Sequence, residues 1–279
     1  MRLALIFDRA REDTSGMYFE RAFRQLGVDV THFWLRDAAS IPQEFDVYLR
    51  IDHGDYADDL PARLRPSAFY MIDTHLPRPL KKMRRVAAHY DVLWCAQHRA
   101  LSSFPGAVWI PAACDSELHG GNGLSRGPWP FDVGFVGTRG GMPRKFYLQA
   151  IRERYPASAI GWAPHTQMGA IYRSSQLVFN YAIRNDINMR VFEALGAGRC
   201  LLTNAIHDNG FEELFRDREH LVVYHSPQEL WELLDYYLTH DDEREAIAAR
   251  GCALAHAQHT YRHRVETMLQ VMRERRVVT

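Results

Sequence analysis

Short β-rich runs alternate with stretches of helical periodicity along almost the whole chain. That alternation confines it to parallel sheets whose two faces are covered by helices. The strand-like runs are 2–7, 28–34, 45–51, 68–73, 91–96 and 107–112, then 131–137, 158–163, 176–182, 199–204 and 220–225. Between them, MYFERAFRQLG sets Met17, Phe19, Ala22, Phe23 and Leu26 on one stripe, and Gly27 suits the helix end. Ser226-Pro227-Gln228-Glu229 reads as a capping box with proline at the first helical position, opening ELWELLDYYL.

The alternation breaks at HGGNGLSRGPWP, residues 119–130, where Gly, Ser and Pro crowd together. The expected organisation is therefore two doubly wound, Rossmann-like domains, 1–125 and 130–258, facing a cleft. A last helix at 259–279 is placed to cross back onto the first domain. A chain of 279 residues is long enough for both. Hydrophobic content of 47% and charged content of 24% are those expected of a soluble globular protein. With 34 basic and 34 acidic residues there is no broad surface for nucleic acid or acidic lipid. The four cysteines, Cys95, Cys114, Cys200 and Cys252, are scattered and match no metal-ligand spacing. They read as apolar thiols in a reducing, cytoplasmic setting. No apolar run approaches the roughly 20 residues of a membrane span, and MRLALIF before DRARED is too short for a signal peptide.

Ligands of open parallel sheets bind beyond the carboxyl ends of the strands, so the loops there carry the candidate chemistry. In QLVFNYAIRNDINMRVFEALGAG the loop offers Arg184, Asn185, Asp186 and Asn188. Asp186 or Asn188 can cap the following helix. The free N–H groups and dipole at that helix start form an anion site, and Arg184 and Arg190 add cationic forks suited to phosphate. Glu193, a turn further in, has two readings: a carboxylate that accepts two ribose hydroxyls, or a surface partner of Arg190. The run FDVGFVGTRGGMPRK ends its strand at Gly137 and supplies Arg139, Arg144 and Lys145 for phosphate, without a Walker or GxGxxG pattern. Tyr172 is a candidate for stacking on a base, with the core as its other reading. In the first domain, Asp73 and His75 close a strand and, two apart on an extended segment, point to one side as base and acid for an acceptor hydroxyl. Their other reading is a loop cap and a surface histidine. Asp52, His53 and Asp55 offer a similar strand end. His256, His259 and His263 lack a carboxylate or cysteine to complete a metal site, and no metal is expected.

The order of NMRVFEALGAGRCLLTN, FEELF, HLVVYHSPQELWELLDYYLTHDDEREAIAARG and HTYRHRV resembles the C-terminal half of spore-maturation-type glycosyltransferases, which belong to the group with the two-domain GT-B fold. FYMIDTH, DVLWCAQ, WIPAACD and FDVGFVGT agree upstream in the same order. The resemblance implies a nucleotide-sugar donor on the second domain and an acceptor held mainly by the first. By motif, Glu193 corresponds to the ribose-binding glutamate, and Arg184, Asn188 and Arg190 to diphosphate or sugar contacts. It also implies a metal-independent reaction without a further cofactor. Many retaining relatives carry E-x7-E, whereas here Asn185 stands eight residues before Glu193, so the stereochemical outcome stays open. Three rival readings keep the fold: a sugar-nucleotide epimerase, a pyridoxal-phosphate phosphorylase, and a catalytically inactive binding subunit. The phosphorylase would need a well-placed lysine, and Lys81, Lys82 and Lys145 sit in no convincing site. Acceptor and oligomeric state are not fixed by these residues.

Overall fold

The computed structural model describes residues 1–9, 14–54, 59–120 and 128–278. These form two compact units. Unit 1 comprises residues 1–112, 208–210 and 261–279, and unit 2 comprises residues 113–207 and 211–260. Asp55 and most of the Gly-rich break lie outside the described residues.

Unit 1 begins with β1 (Arg2–Ile6), α1 (Ser15–Gln25), β2 (Asp29–Phe33), β3 (Val47–Ile51), β4 (Ser67–Met71), α2 (Pro77–Val86), β5 (Val92–Cys95) and β6 (Val108–Trp109). The six strands form one parallel sheet in the order β2-β1-β3-β4-β5-β6. β3 and β4 are buried along their whole length. That is why VYLRI and SAFYM do not alternate: both faces of a central parallel strand are covered. Arg50, inside β3, is tolerated because its charge is paired with Asp59. Its Nη1 donates to Asp59 Oδ1 at 2.8 Å and to the Tyr90 hydroxyl at 3.3 Å, and its guanidinium lies over the Phe69 ring. The stripe read from the sequence buries Phe19, Ala22 and Phe23 of α1, together with Tyr18, and Gly27 beyond the helix end takes a positive φ of 75°.

Unit 2 runs β7 (Phe131–Val136), α3 (Arg144–Arg154), β8 (Ala159–Gly161), α4 (His165–Arg173), β9 (Ser175–Phe179), α5 (Met189–Gly196), β10 (Cys200–Asn204), α6 (Phe211–Leu214), β11 (Val222–Tyr224), α7 (Pro227–Thr239) and α8 (Asp241–Gln258). Its five strands are parallel in the order β11-β10-β9-β7-β8. The strand order reverses between β7 and β9, the place where such sheets hold ligands. At α7 the Ser226 half of the capping box forms, its Oγ accepting from the Glu229 amide at 3.1 Å, while Glu229 Oε2 accepts from the amide of His225, one residue before the cap, at 2.7 Å.

The end of the first domain differs from the sequence expectation, because residues 113–120 pack with unit 2. His119, first residue of the expected linker, is fully buried. Its Nδ1 accepts from the Asp115 amide at 2.9 Å, and Arg173 Nη1 donates to its carbonyl at 2.6 Å. Burial pushes its imidazole down to about 3, so the ring is neutral. Beyond the break, the guanidinium groups of Arg199 and Arg244 lie 5.1 and 5.0 Å from the Trp129 ring. The last helix, α9 (Tyr261–Glu274), packs in unit 1 against α1, where Tyr261 stacks on Tyr18 at 5.0 Å. No described helix is long and apolar enough to cross a membrane.

Candidate active site

Arg190 organises the switch point of unit 2. Its Nη2 and Nε donate to the Val136 carbonyl at the end of β7, at 2.9 and 3.2 Å. Its Nη1 donates to Asn180 Oδ1, just past β9, at 2.8 Å, and its guanidinium lies 4.0 Å over the Phe135 ring. Asn180 is itself fully buried and donates to Thr203 Oγ1 at 3.0 Å. One side chain at the start of α5 thus ties together the ends of β7 and β9. Gly137 makes this possible. It takes φ of 141°, and a Cβ there would stand 2.6 Å from Arg190 Nη2.

A second arginine joins it. Arg144, opening α3, donates from Nε to the Arg139 carbonyl at 3.2 Å. Burial first, and then repulsion from Arg190, lower its proton affinity, while Asp186 partly offsets this. Two guanidinium groups that repel each other in a half-buried place mark a spot where an anion is welcome. The Arg139 side chain itself is exposed. Asp186 is buried, and burial pushes its carboxyl up to about 6 against the opposing pull of Asn188, Arg190 and Arg144.

Asn188 stands at the N-cap of α5 with extended backbone, but its side chain caps no helix N–H group. It hydrogen-bonds Asp186 instead, and its Oδ1 is buried without a partner. The Asn188 side chain therefore does not cap α5, whose positive dipole end faces this loop. Arg184 is exposed in the loop before α5, and it and Asn185 take positive φ of 54° and 62°. Asparagine tolerates that region; arginine does so at a cost of order 1–3 kcal/mol, a type of strain that gathers at functional loops.

Glu193 is 3% exposed, which removes the reading of a solvated surface partner. The hydrogen bonds of Arg190 to Val136 and Asn180 leave that role unfilled. The Tyr172 candidacy for base stacking also falls. Its ring is fully buried, its hydroxyl donates to the Val136 carbonyl at 3.4 Å, and burial raises its proton affinity. Met168, one turn earlier, is buried beside it on α4, so the stripe belongs to the core. An aromatic ring is exposed elsewhere: Trp162, 70% exposed, follows β8 next to Gly161, whose carbonyl accepts from the Gly137 amide at 2.9 Å. Sequence reasoning passed over Trp162, because exposure at a strand end leaves no periodic signal.

In unit 1, Asp73 and His75 lie beyond β4 in a turn closed by the Leu76 amide on the Asp73 carbonyl at 3.0 Å. The segment is not extended, so spacing by two does not aim both side chains to one side. Asp52 has the structural task here. Its Oδ2 accepts from the amides of Ile72 and Asp73, and its Oδ1 from Gly54, each at 3.1 Å. His53 turns back to the Ile51 carbonyl at 3.2 Å. The C-terminal histidines serve α5: His256 Nε2 bonds the Gly196 carbonyl at 2.9 Å, and His259 packs on Phe192 and Phe215. Among the described residues, no three His, Cys, Asp or Glu side chains are grouped to hold a metal ion.

Two units, each a parallel sheet flanked by helices, have the architecture of the GT-B glycosyltransferases. A family model described as glycosyl transferase-like matches residues 117–270, more than half of the chain, and the protein belongs to that family. No curated protein sequence matches significantly. Among solved structures, an alpha-glucosyltransferase in complex with UDP and DNA is similar at TM-score 0.71 and 9% identity, covering 98% of this chain and 99% of that one. HepE from Anabaena, in complex with UDP and glucose, is similar at TM-score 0.66 and 11% identity, over 98% and 100%. A sucrose-phosphate synthase from Thermosynechococcus elongatus is similar at 0.66 and 10%, over 98% of each. At these identities the likeness shows the fold.

Proposed function

We propose that the protein moves a sugar from a nucleotide-sugar donor to an acceptor hydroxyl, as the spore-maturation-type enzymes it resembles are expected to do. The observation that carries this reading is the nearness of Arg144 and Arg190 at the start of α5, with Glu193 buried a turn away. The diphosphate rests on the α5 amides and the arginines, with Arg139, Arg184 and Asn188 closing around it and the backbone of Gly137 approaching it. Glu193 accepts the ribose hydroxyls, and Trp162 offers its ring to the base. Fixed positive charge stabilises the departing diphosphate, so the reaction proceeds without a metal or further cofactor. UDP is the first nucleotide to test, because relatives of this fold carry UDP or UDP-glucose. Unit 1 presents Asp73 or His75 to the acceptor, positioning or deprotonating the hydroxyl that reacts. Four free cysteines suit a cytoplasmic setting.

Calorimetric titration of UDP, GDP and dTDP tests the donor site. One nucleotide binds the wild type, and Glu193→Ala weakens it at least about tenfold, a loss of roughly 1.4 kcal/mol. If none binds the wild type, the donor reading is refuted. An Asp73→Asn variant that transfers at the full rate removes Asp73 from the mechanism.

A further inference from the structure

Beside the donor residues, unit 2 holds a cavity of about 230 Å³ at the carboxyl ends of β9, β10 and β11. It is lined by Tyr147, Tyr181 and Tyr224, with His207, His225 and Ser226 among the other walls. None of the residues assigned to the donor lines it. The size is instructive. Sites for drug-sized ligands begin at roughly 300 Å³, so this cavity is too small for a nucleotide and large enough for a single ring. Tyr147 and Tyr181 stand at 5.6 Å between ring centroids, tilted by 35°. They give the cavity flat apolar walls, while Tyr224 anchors its hydroxyl on the Asn180 carbonyl at 3.2 Å.

The polar groups are the second observation. Among the described residues, the hydroxyls of Tyr147 and Tyr181 and the imidazoles of His207 and His225 make no hydrogen bond to the protein. Both histidines are exposed at the mouth. Aromatic faces combined with several uncommitted donors and acceptors match a saccharide, which has apolar C–H faces and a rim of hydroxyls. They do not match an anion, since no Lys or Arg lines the cavity and Glu229 accepts from the His225 amide beside it.

We infer that this cavity is a saccharide subsite that holds one pyranose ring of the acceptor. The inference rests on the proposed transfer reaction, and it makes the acceptor a glycan or glycoside. Tyr147 and Tyr181 cover the ring's apolar surface, and His207, His225 and Ser226 bond its hydroxyls.

Saturation-transfer NMR on the full chain, with and without UDP, tests it with the methyl glycosides of glucose, galactose, mannose and N-acetylglucosamine. At least one glycoside receives saturation from the wild type. Its affinity falls at least about tenfold in Tyr181→Ala and in His225→Ala, and persists in Glu193→Ala. His225 is exposed, so its variant keeps the fold even where loss of the Tyr181 ring disturbs packing, and far-UV dichroism checks this. Silence from all four glycosides overturns the subsite, as does a signal that both variants leave unchanged. Displacement of the glycoside by UDP-glucose but not by UDP gives the cavity to the donor sugar and overturns the acceptor assignment. Calorimetry with UDP reads the donor site separately: a wild type that binds a glycoside but no nucleotide refutes the transfer reading through its donor half, and one that binds nucleotide but no glycoside refutes the subsite alone.

Discussion

The Asp186 carboxyl titrates at about 6 in the folded protein and near its ordinary value of 3.8 when unfolded. Between these values the folded state holds the extra proton. The stability contributed by protonation is complete below about 3.8 and is lost as pH rises through about 6. At neutral pH a buried carboxylate is being kept ionised at a cost, offset in part by Arg190, Arg144 and Asn188. Asp186→Asn removes that cost and keeps the shape. Thermal unfolding followed at pH 8 and at pH 5 should show the variant more stable than wild type at the higher pH, with the gap closing at the lower. An equal gap at both pH values would show that desolvation is not what raises this group. The same charge balance concerns ligand binding, since each proton taken up by Asp186 leaves the arginine pair more positive.

At the scale of elements, the turn after β7 and the start of α5 act as one device. Gly137 takes a backbone conformation that L side chains rarely adopt, and its missing Cβ is what lets Arg190 reach the Val136 carbonyl. Gly137→Ala therefore pushes the guanidinium aside and strains the turn by about 1–3 kcal/mol. Gly141, in the same loop, has open space for 4 Å around the position a Cβ would take, and it serves as the matched control. Titration with UDP should show Gly137→Ala binding at least about tenfold more weakly, and Gly141→Ala binding like wild type. Equal binding by the two variants would separate Arg190 from the anion site.

At the scale of the molecule, unit 1 is completed by a helix from the far end of the chain. Arg264 of α9 donates from Nε to the Pro111 carbonyl at 2.8 Å and from Nη2 to the Ala112 carbonyl at 3.1 Å. The guanidinium is buried, so Arg264→Ala leaves two carbonyls short of donors where water reaches poorly. A loss of about 2–4 kcal/mol is expected. Differential scanning calorimetry should show the transition of unit 1 lowered. A nucleotide bound to unit 2 at about 100 times its Kd adds about 2.7 kcal/mol to that unit. A variant that melts like wild type would show that α9 is held by its aromatic contacts alone, among them Tyr261 on Tyr18 and Phe19.

Strands, helices and parallel sheets were legible in the residues because they depend on local patterns. Apolar runs such as FDVGFV specify buried strands, and the stripe from Met17 to Leu26 specifies a helix. Ser226 and Glu229 fixed the start of α7 through contacts three residues apart. The carboxyl-end loop before α5 stood out as a candidate place for chemistry for the same reason. What each side chain does there was decided by partners far away in sequence. Tyr172 went to the core because α4 packs on β7 and β9, and Glu193 is buried on α5, which packs on β10 and α8. Asp52, rather than Asp73, became the acceptor of the turn amides across about twenty residues of chain. The tyrosines of the cavity come from 147, 181 and 224, and α9 packs on α1 in a unit begun at the chain's first strand. Periodicity records which face of an element is apolar, whereas contacts between distant segments exist only once the sheet has set its strand order.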